Sequence, residues 1–161
     1  MRIVVFSDSH RRVSNVLKII ERHKNNADLF LFLGDGNDDV DEALTMYPDI
    51  KIERVSGNCD FSSVYPASKI IEFGGKRFLI THGHPYYVKH NLYNLEREAK
   101  SVKADFCLFG HTHIPYIENI DGIRYMNPGS AADGRYGIID AEDSGIIDAE
   151  DSGIMIYHSE V

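Results

Sequence analysis

The chain has 161 residues, 43% of them hydrophobic, enough to bury a core in a single domain spanning residues 1–161. Its formal net charge of −8 argues against broad nucleic-acid binding, because affinity for a phosphate backbone depends on neutralisation by Lys and Arg. No apolar run approaches the ~20 residues of a membrane span, and two cysteines, Cys59 and Cys107, are too few for a disulfide scaffold and lack zinc-finger spacing, so a reduced, cytoplasmic protein is expected.

In chain order, Arg2–Ser7 reads as a strand apolar on both faces that leads directly into a motif, with no signal peptide before it. Val13, Val16, Leu17 and Ile20 follow the i, i+3, i+4, i+7 spacing of an amphipathic helix. Asp28–Leu33 is a second buried strand, ending at Gly34-Asp35. Val40, Ala43, Leu44 and Tyr47 mark a second helix, closed by Pro48. Lys51–Ser56 is a third strand and runs into Gly57-Asn58. Ser68–Phe73 and Lys76–Thr81, joined by Gly74-Gly75, form a hairpin. Leu92, Leu95, Ala99 and Val102 predict a third helix capped by Asn91, and Asp105–Phe109 a further buried strand. Beyond Pro115, turns at Asp121-Gly122, Asn127-Pro128-Gly129 and Asp133-Gly134 separate short strands. The order is α/β at the front and mostly β at the back. It predicts a sheet with parallel strands packed on a second sheet and covered by helices.

Residues 137–144 read GIIDAEDS, and residues 145–152 repeat them identically. A period of eight in two copies is too short for a solenoid, and the acids lack the spacing and glycine of an EF-hand. The segment reads as a tandem duplication in which each copy is a short strand plus a turn, and an extra copy can loop out at the surface.

Five strand ends carry acids, amides or histidines: Asp8-Ser9-His10, Gly34-Asp35 with Asp38, Gly57-Asn58-Cys59-Asp60, Thr81-His82-Gly83-His84 and Gly110-His111-Thr112-His113. Ligands of open α/β sheets bind beyond the carboxyl ends of the strands. The five motifs therefore converge on one rim, provided that the strand before His82 joins it. Carboxylate and imidazole together suit divalent Mn, Fe, Ni and Zn. The glycines at 34, 57, 83 and 110 let the backbone turn sharply and come close to the ions.

As an ordered set, these motifs resemble the signature of the calcineurin-like metallophosphoesterase superfamily, from residue 3 to about residue 130. The short length, His82-Gly83-His84 and Asn127-Pro128-Gly129-Ser130 resemble its small bacterial and archaeal phosphodiesterase branch, related in fold to the metallophosphoesterase-like subunit of retromer. The resemblance implies an α/β, four-layer sandwich of two mixed β-sheets flanked by helices. It implies two divalent metal ions (Mn, Ni, Fe or Zn), with Asp8, His10 and His113 on the first, Asn58, His82 and His111 on the second, and Asp35 bridging both. Asp38 would support the site and His84 would meet the substrate phosphate, so that Asp35, Asn58, His84 and Asp38 serve catalysis. The implied reaction is hydrolysis of a small phosphate diester by in-line attack of a metal-bridging hydroxide. A noncatalytic metal-binding interaction module and a phosphomonoesterase are the alternatives, and a homo-oligomer is compatible with each.

Where the broader superfamily has Gly-Asn-His, this chain has Cys59, a poor proton donor to a leaving group, and the residue reads as filling space. His23, His90 and His158 match no motif and read as surface or helix-end residues. Tyr86 and Tyr87 suit substrate contact or packing equally.

Overall fold

The computed structural model describes residues 1–141 and 153–161. Strands β1 (Arg2–Phe6), β2 (Leu29–Phe32) and β3 (Ile52–Arg54) are parallel neighbours. Helices α1 (Val13–His23) and α2 (Asn37–Met46) connect them. A second sheet holds β4 (Ser68–Phe73), β5 (Lys76–Thr81), β6 (Phe106–Phe109), β7 (Tyr116–Ile120) and β8 (Ile123–Asn127) in the order β4-β5-β6-β8-β7. Its three inner strands are mutually parallel, and β4 and β7 close the two edges antiparallel. Helix α3 (Tyr93–Ser101) joins β5 to β6. The expected arrangement of two mixed sheets flanked by helices is therefore present.

Continuous apolar strands divide their side chains by the two-residue period of a strand. Ile3 and Val5 of β1, Leu29 and Leu31 of β2, Phe78 and Ile80 of β5, and Phe106 and Leu108 of β6 meet between the sheets. Val4, Phe6, Phe30 and Phe32 point the other way, under α1 and α2, where Val16, Ile19, Ile20 and Val40 meet them. Leu79, Cys107 and Phe109 pack with Leu95 and Ala99 of α3. Four layers result, and the buried Cys107 and exposed Cys59 are both free.

The division into an α/β front and a β back does not describe the sheets. Strands β9 (Arg135–Ala141) and β10 (Ile154–Glu160) return to the first sheet, β9 antiparallel to β1 and β10 antiparallel to β9. This covers the edge that β1 would otherwise leave unpaired. The first GIIDAEDS copy thus supplies β9 through Ala141, and the second, residues 145–152, lies outside the described residues.

Several strands are one to three residues shorter than the pattern predicts, and at two of them a flanking acid does other work. Asp28 and Asp105 lie outside their strands, and their carboxylates accept the N–H groups of Arg2 and Arg77 at 2.7 Å. Asn91 accepts from the Tyr93 N–H at 3.0 Å, just ahead of α3. Among the described residues, no helix is long and apolar enough to cross a membrane.

Candidate metal centre

All five motif loops meet at the carboxyl ends of β1, β2, β3, β5 and β6, where backbone hydrogen bonds stitch them together. The Asp8 N–H donates to the Gly34 carbonyl at 2.9 Å, and the His10 N–H to the Asp35 carbonyl at 3.2 Å. Across the sheets, the His111 N–H donates to Asp8 Oδ2 at 3.1 Å, and His82 Nδ1 lies 2.8 Å from the Leu33 carbonyl. A carbonyl only accepts, so Nδ1 of His82 carries the proton and Nε2 is left free to ligate.

Three overlapping groups bring their ligand atoms within 4.8 Å of one another: Asp8, His10 and His113; Asp35, His82 and His111; and His10, Asp35 and Cys59. The first two bring together the imidazoles in the expected pairs, His10 with His113 and His82 with His111. Asn58 is exposed on the loop after β3, with its amide nitrogen 3.4 Å from Cys59 Sγ. Cys59 is exposed as well, and its sulfur lies within reach of the His10 and Asp35 ligand atoms. His84 is half-buried, its ring centroid 5.4 Å from that of His82.

Two features of the geometry fit cations. Asp8 is fully buried, yet its Oδ1 has no hydrogen-bond partner and faces His113, His10 and His82 Nε2 at 3.1, 3.7 and 3.9 Å. Imidazole nitrogens also confront one another, His10 Nε2 and His113 Nε2 at 3.2 Å, and His82 Nε2 and His111 Nδ1 at 3.2 Å. Imidazole nitrogens gathered around a buried carboxylate oxygen that lacks a hydrogen-bond donor are an arrangement that a divalent ion satisfies.

The backbone is strained at the same residues. Asp8, His10, Asp35, His111 and His113 all have φ between 44° and 69°. Such left-handed conformations cost a non-glycine residue about 1–3 kcal/mol and cluster at functional sites. Two glycines are required by close approach. A Cβ on Gly57 would lie 2.0 Å from Asp35 Oδ1, and one on Gly110 would lie 2.8 Å from Asp8 Oδ2.

Protonation follows the packing. Burial acts to raise the Asp35 carboxyl, but His82, 3.4 Å away, and the Cys59 N–H outweigh it and hold the group well below the usual carboxylate range. Burial lowers His82, and the carboxylates of Asp35 and Asp8 more than offset that, leaving it raised. His111 is brought down to about 4 by burial and by the neighbouring charges of His82 and Lys89. It is therefore a neutral ligand at physiological pH. The Asp8 carboxylate raises His113, and burial lowers His84.

The supporting residues are not those the motif suggested. Asp38 is exposed in the first turn of α2. One position on, the buried Asp39 accepts from Ser9 Oγ at 2.5 Å and the Arg11 N–H at 2.9 Å, and so fixes the Asp8 loop. Asp60 accepts from the N–H groups of Asp35, Gly36, Asn37 and Gly57 and from Asn37 Nδ2, all at 2.8–2.9 Å. Asn127 donates to the Gly110 carbonyl and Thr112 Oγ1, and Ser130 Oγ to the Asp8 carbonyl, so the Asn-Pro-Gly-Ser loop braces two ligand loops. Asp60, Asn127 and Ser130 stand within stretches the sequence already singled out, without these roles, and Asp39 only adjoins one.

Of the other residues, His23 ends α1 but is buried against Tyr136 Oη at 3.0 Å, and His158 lies half-buried on β10, 2.8 Å from the Asn127 carbonyl. Neither is a surface residue, whereas His90 is exposed. Tyr86 packs under α3, while Tyr87 is exposed.

A family model described as the calcineurin-like phosphoesterase superfamily domain matches residues 1–157. The chain is 34% identical over 131 residues to the probable metallophosphoesterase YsnB of Bacillus subtilis, covering 81% of this chain and 75% of that protein. It is 29% identical over 162 residues to a phosphodiesterase of Methanocaldococcus jannaschii, covering 86% and 89%. Zinc-complexed Vps29 of Entamoeba histolytica superposes with a TM-score of 0.74 over 99% of each chain at 18% identity, a likeness of fold alone.

Proposed function

The chain belongs to the calcineurin-like phosphoesterase superfamily, and from that premise we propose that it is a phosphodiesterase dependent on two divalent metal ions, of Mn, Ni, Fe or Zn type. The observation that carries the reading is the double set of inward-facing ligands around buried Asp8 and Asp35. Asp8, His10 and His113 would hold one ion, His82 and His111 the other, and Asp35 would reach both, with Asn58 and Cys59 at the rim. Two such ions supply Lewis-acid polarisation of the phosphoryl group and a strong nucleophile from water at neutral pH.

The chain's own residues do the remaining work. Leu33 and Asp39 hold ligand side chains or loops in place before any ion arrives, so little reorganisation is left for binding. His84, lowered by burial and so neutral at physiological pH, would donate a hydrogen bond to a phosphoryl oxygen. The Cys59 thiol is raised by burial and by the carboxylates of Asp35, Asp60 and Asp8. It is a weak acid for a leaving alkoxide, which favours esters whose alcohols leave as anions. Support for a diester comes from the M. jannaschii relative, named as a phosphodiesterase.

The test is to strip the purified protein with chelator, reload it with each metal, and assay bis(4-nitrophenyl) phosphate beside 4-nitrophenyl phosphate. Metal-restored turnover with the diester preferred is expected. No turnover with any metal, or preference for the monoester, removes the reading.

A further inference from the structure

Beside the metal centre lies a cavity of about 540 Å³ that shares His10, Asp35 and Cys59 with it and extends over the loop between β3 and β4. Phe61 and Val64 line its outer part, 93% and 90% exposed. Two large apolar side chains left almost wholly in water, on the wall of the cavity that holds the candidate ligands, are not explained by core packing.

The loop that carries them is pinned at both ends. On one side, Asp60 is fixed by its five donors, and the Ser63 N–H closes a turn on the Asp60 carbonyl at 3.1 Å. On the other, Ser56 Oγ donates to the Tyr65 carbonyl, the Ser56 N–H to the Pro66 carbonyl, and the Arg54 guanidinium lies 4.3 Å over the Tyr65 ring. The loop is therefore held open with its Phe61 ring presented. The ordering cost of the loop backbone is met during folding, so docking a flat apolar group on Phe61 adds only the cost of its side-chain rotamer.

Charge narrows the class of that group. Asp38, Asp39 and Asp60 line it, as does Asp41, whose carboxylate is paired with Arg54 at 2.6 Å, and Arg11 is the one Arg or Lys among the residues that line the cavity. A second phosphate there would meet carboxylates, whereas an uncharged arm would not. We propose that this cavity is the subsite for the alcohol arm of the substrate, and that it selects phosphodiesters whose arm is planar, aromatic or heteroaromatic and uncharged, with Phe61 as the contact that determines specificity. This inference rests on the phosphodiesterase reading for the phosphate's position, and adds the arm.

The test is calorimetric titration of the manganese-loaded full chain with two phosphinates whose arms are joined to phosphorus through carbon and so resist hydrolysis, benzyl(methyl)phosphinate (the phenyl probe) and propyl(methyl)phosphinate (the alkyl probe). Turnover of bis(4-nitrophenyl) phosphate is measured alongside. The wild-type protein is expected to prefer the phenyl probe by roughly tenfold, the size of one aromatic contact. Phe61→Ala should bring the ratio close to one, and Phe61→Tyr should restore it. Because the ring is exposed, neither substitution threatens the core. No preference in the wild type, or a preference that survives Phe61→Ala, overturns the subsite even when diesters are hydrolysed. A Phe61-dependent preference in protein that hydrolyses nothing supports the subsite and removes the activity instead. A change in mass by light scattering on Phe61→Ala would assign the ring to contact between copies and overturn the proposal.

Discussion

Replacing Asp60 with Ala removes a carboxylate that accepts five hydrogen bonds, four from backbone N–H groups of the two loops that flank Asp35. At about 1 kcal/mol net for each bond, the upper bound is ~5 kcal/mol. The carboxylate adjoins an open cavity, so water replaces part of what is lost. About 3 kcal/mol remains, or roughly 6–12 °C of melting temperature for a chain of this size. Asp60→Asn should fall between the two proteins, since an amide keeps one acceptor and turns a donor toward other donors. The pH dependence has a definite sign. Burial acts to raise the Asp60 carboxyl, and the N–H groups of Gly57, Asn37, Gly36 and Asp35 outweigh it, so its folded pKa is depressed. Its contribution is therefore full above the unfolded value of about 3.9 and is lost as pH falls through the lower folded value. Urea unfolding of chelator-treated protein, followed by circular dichroism, measures this without interference from metal release. The gap between wild type and Asp60→Ala should be constant from about pH 5 to 8 and narrow only below about pH 4. A gap under about 1 kcal/mol at neutral pH, or one that does not narrow in acid, refutes the clamp.

Asp8→Asn should leave the melting temperature of the metal-free protein unchanged or higher, because it removes the charge of a buried carboxylate whose Oδ1 has no hydrogen-bond donor. It should abolish the gain that metal gives the wild type, about 2.7 kcal/mol at a hundredfold excess over Kd, and calorimetric scans with and without manganese read both effects. Cys59→Ala should retain turnover of nitrophenyl diesters, while Cys59→His should raise turnover of alkyl esters by up to ~10²–10⁴-fold, the usual range for a general acid. Loss of nitrophenyl turnover in Cys59→Ala with both metals bound would make the thiol catalytic. Deleting residues 145–152 should leave melting temperature and activity intact. Ala141 and Ile154 are paired neighbours, and the deletion leaves a four-residue hairpin connection in place of twelve. The shorter loop gains about 1 kcal/mol at most, and a large loss of melting temperature would show that the second copy is integrated in the sheet.

The ligand types and their order were legible in the sequence because each follows a short apolar run, and a buried parallel strand delivers whatever residue comes next to the same rim. Asp8, His10, Asp35, Asn58, His82, His111 and His113 could be named as candidate ligands on that ground, Asn58 being exposed in the fold, as could two sheets and three helices. Other features were decided by contacts between residues far apart in the chain. Which face of β1 met the second sheet was not legible, since Ile3 and Val5 are as apolar as Val4 and Phe6. The return of β9 and β10 to the first sheet depended on the open edge of β1, which no local pattern records. Asp39 in place of Asp38, Asp60 as the clamp on Asp35, and Asn127 and Ser130 as braces were settled by which carboxylate or amide reached a neighbouring loop. A motif fixes the residues that meet an ion through local spacing, whereas those that hold the ligands are set by donors and acceptors that only folding brings within 3 Å.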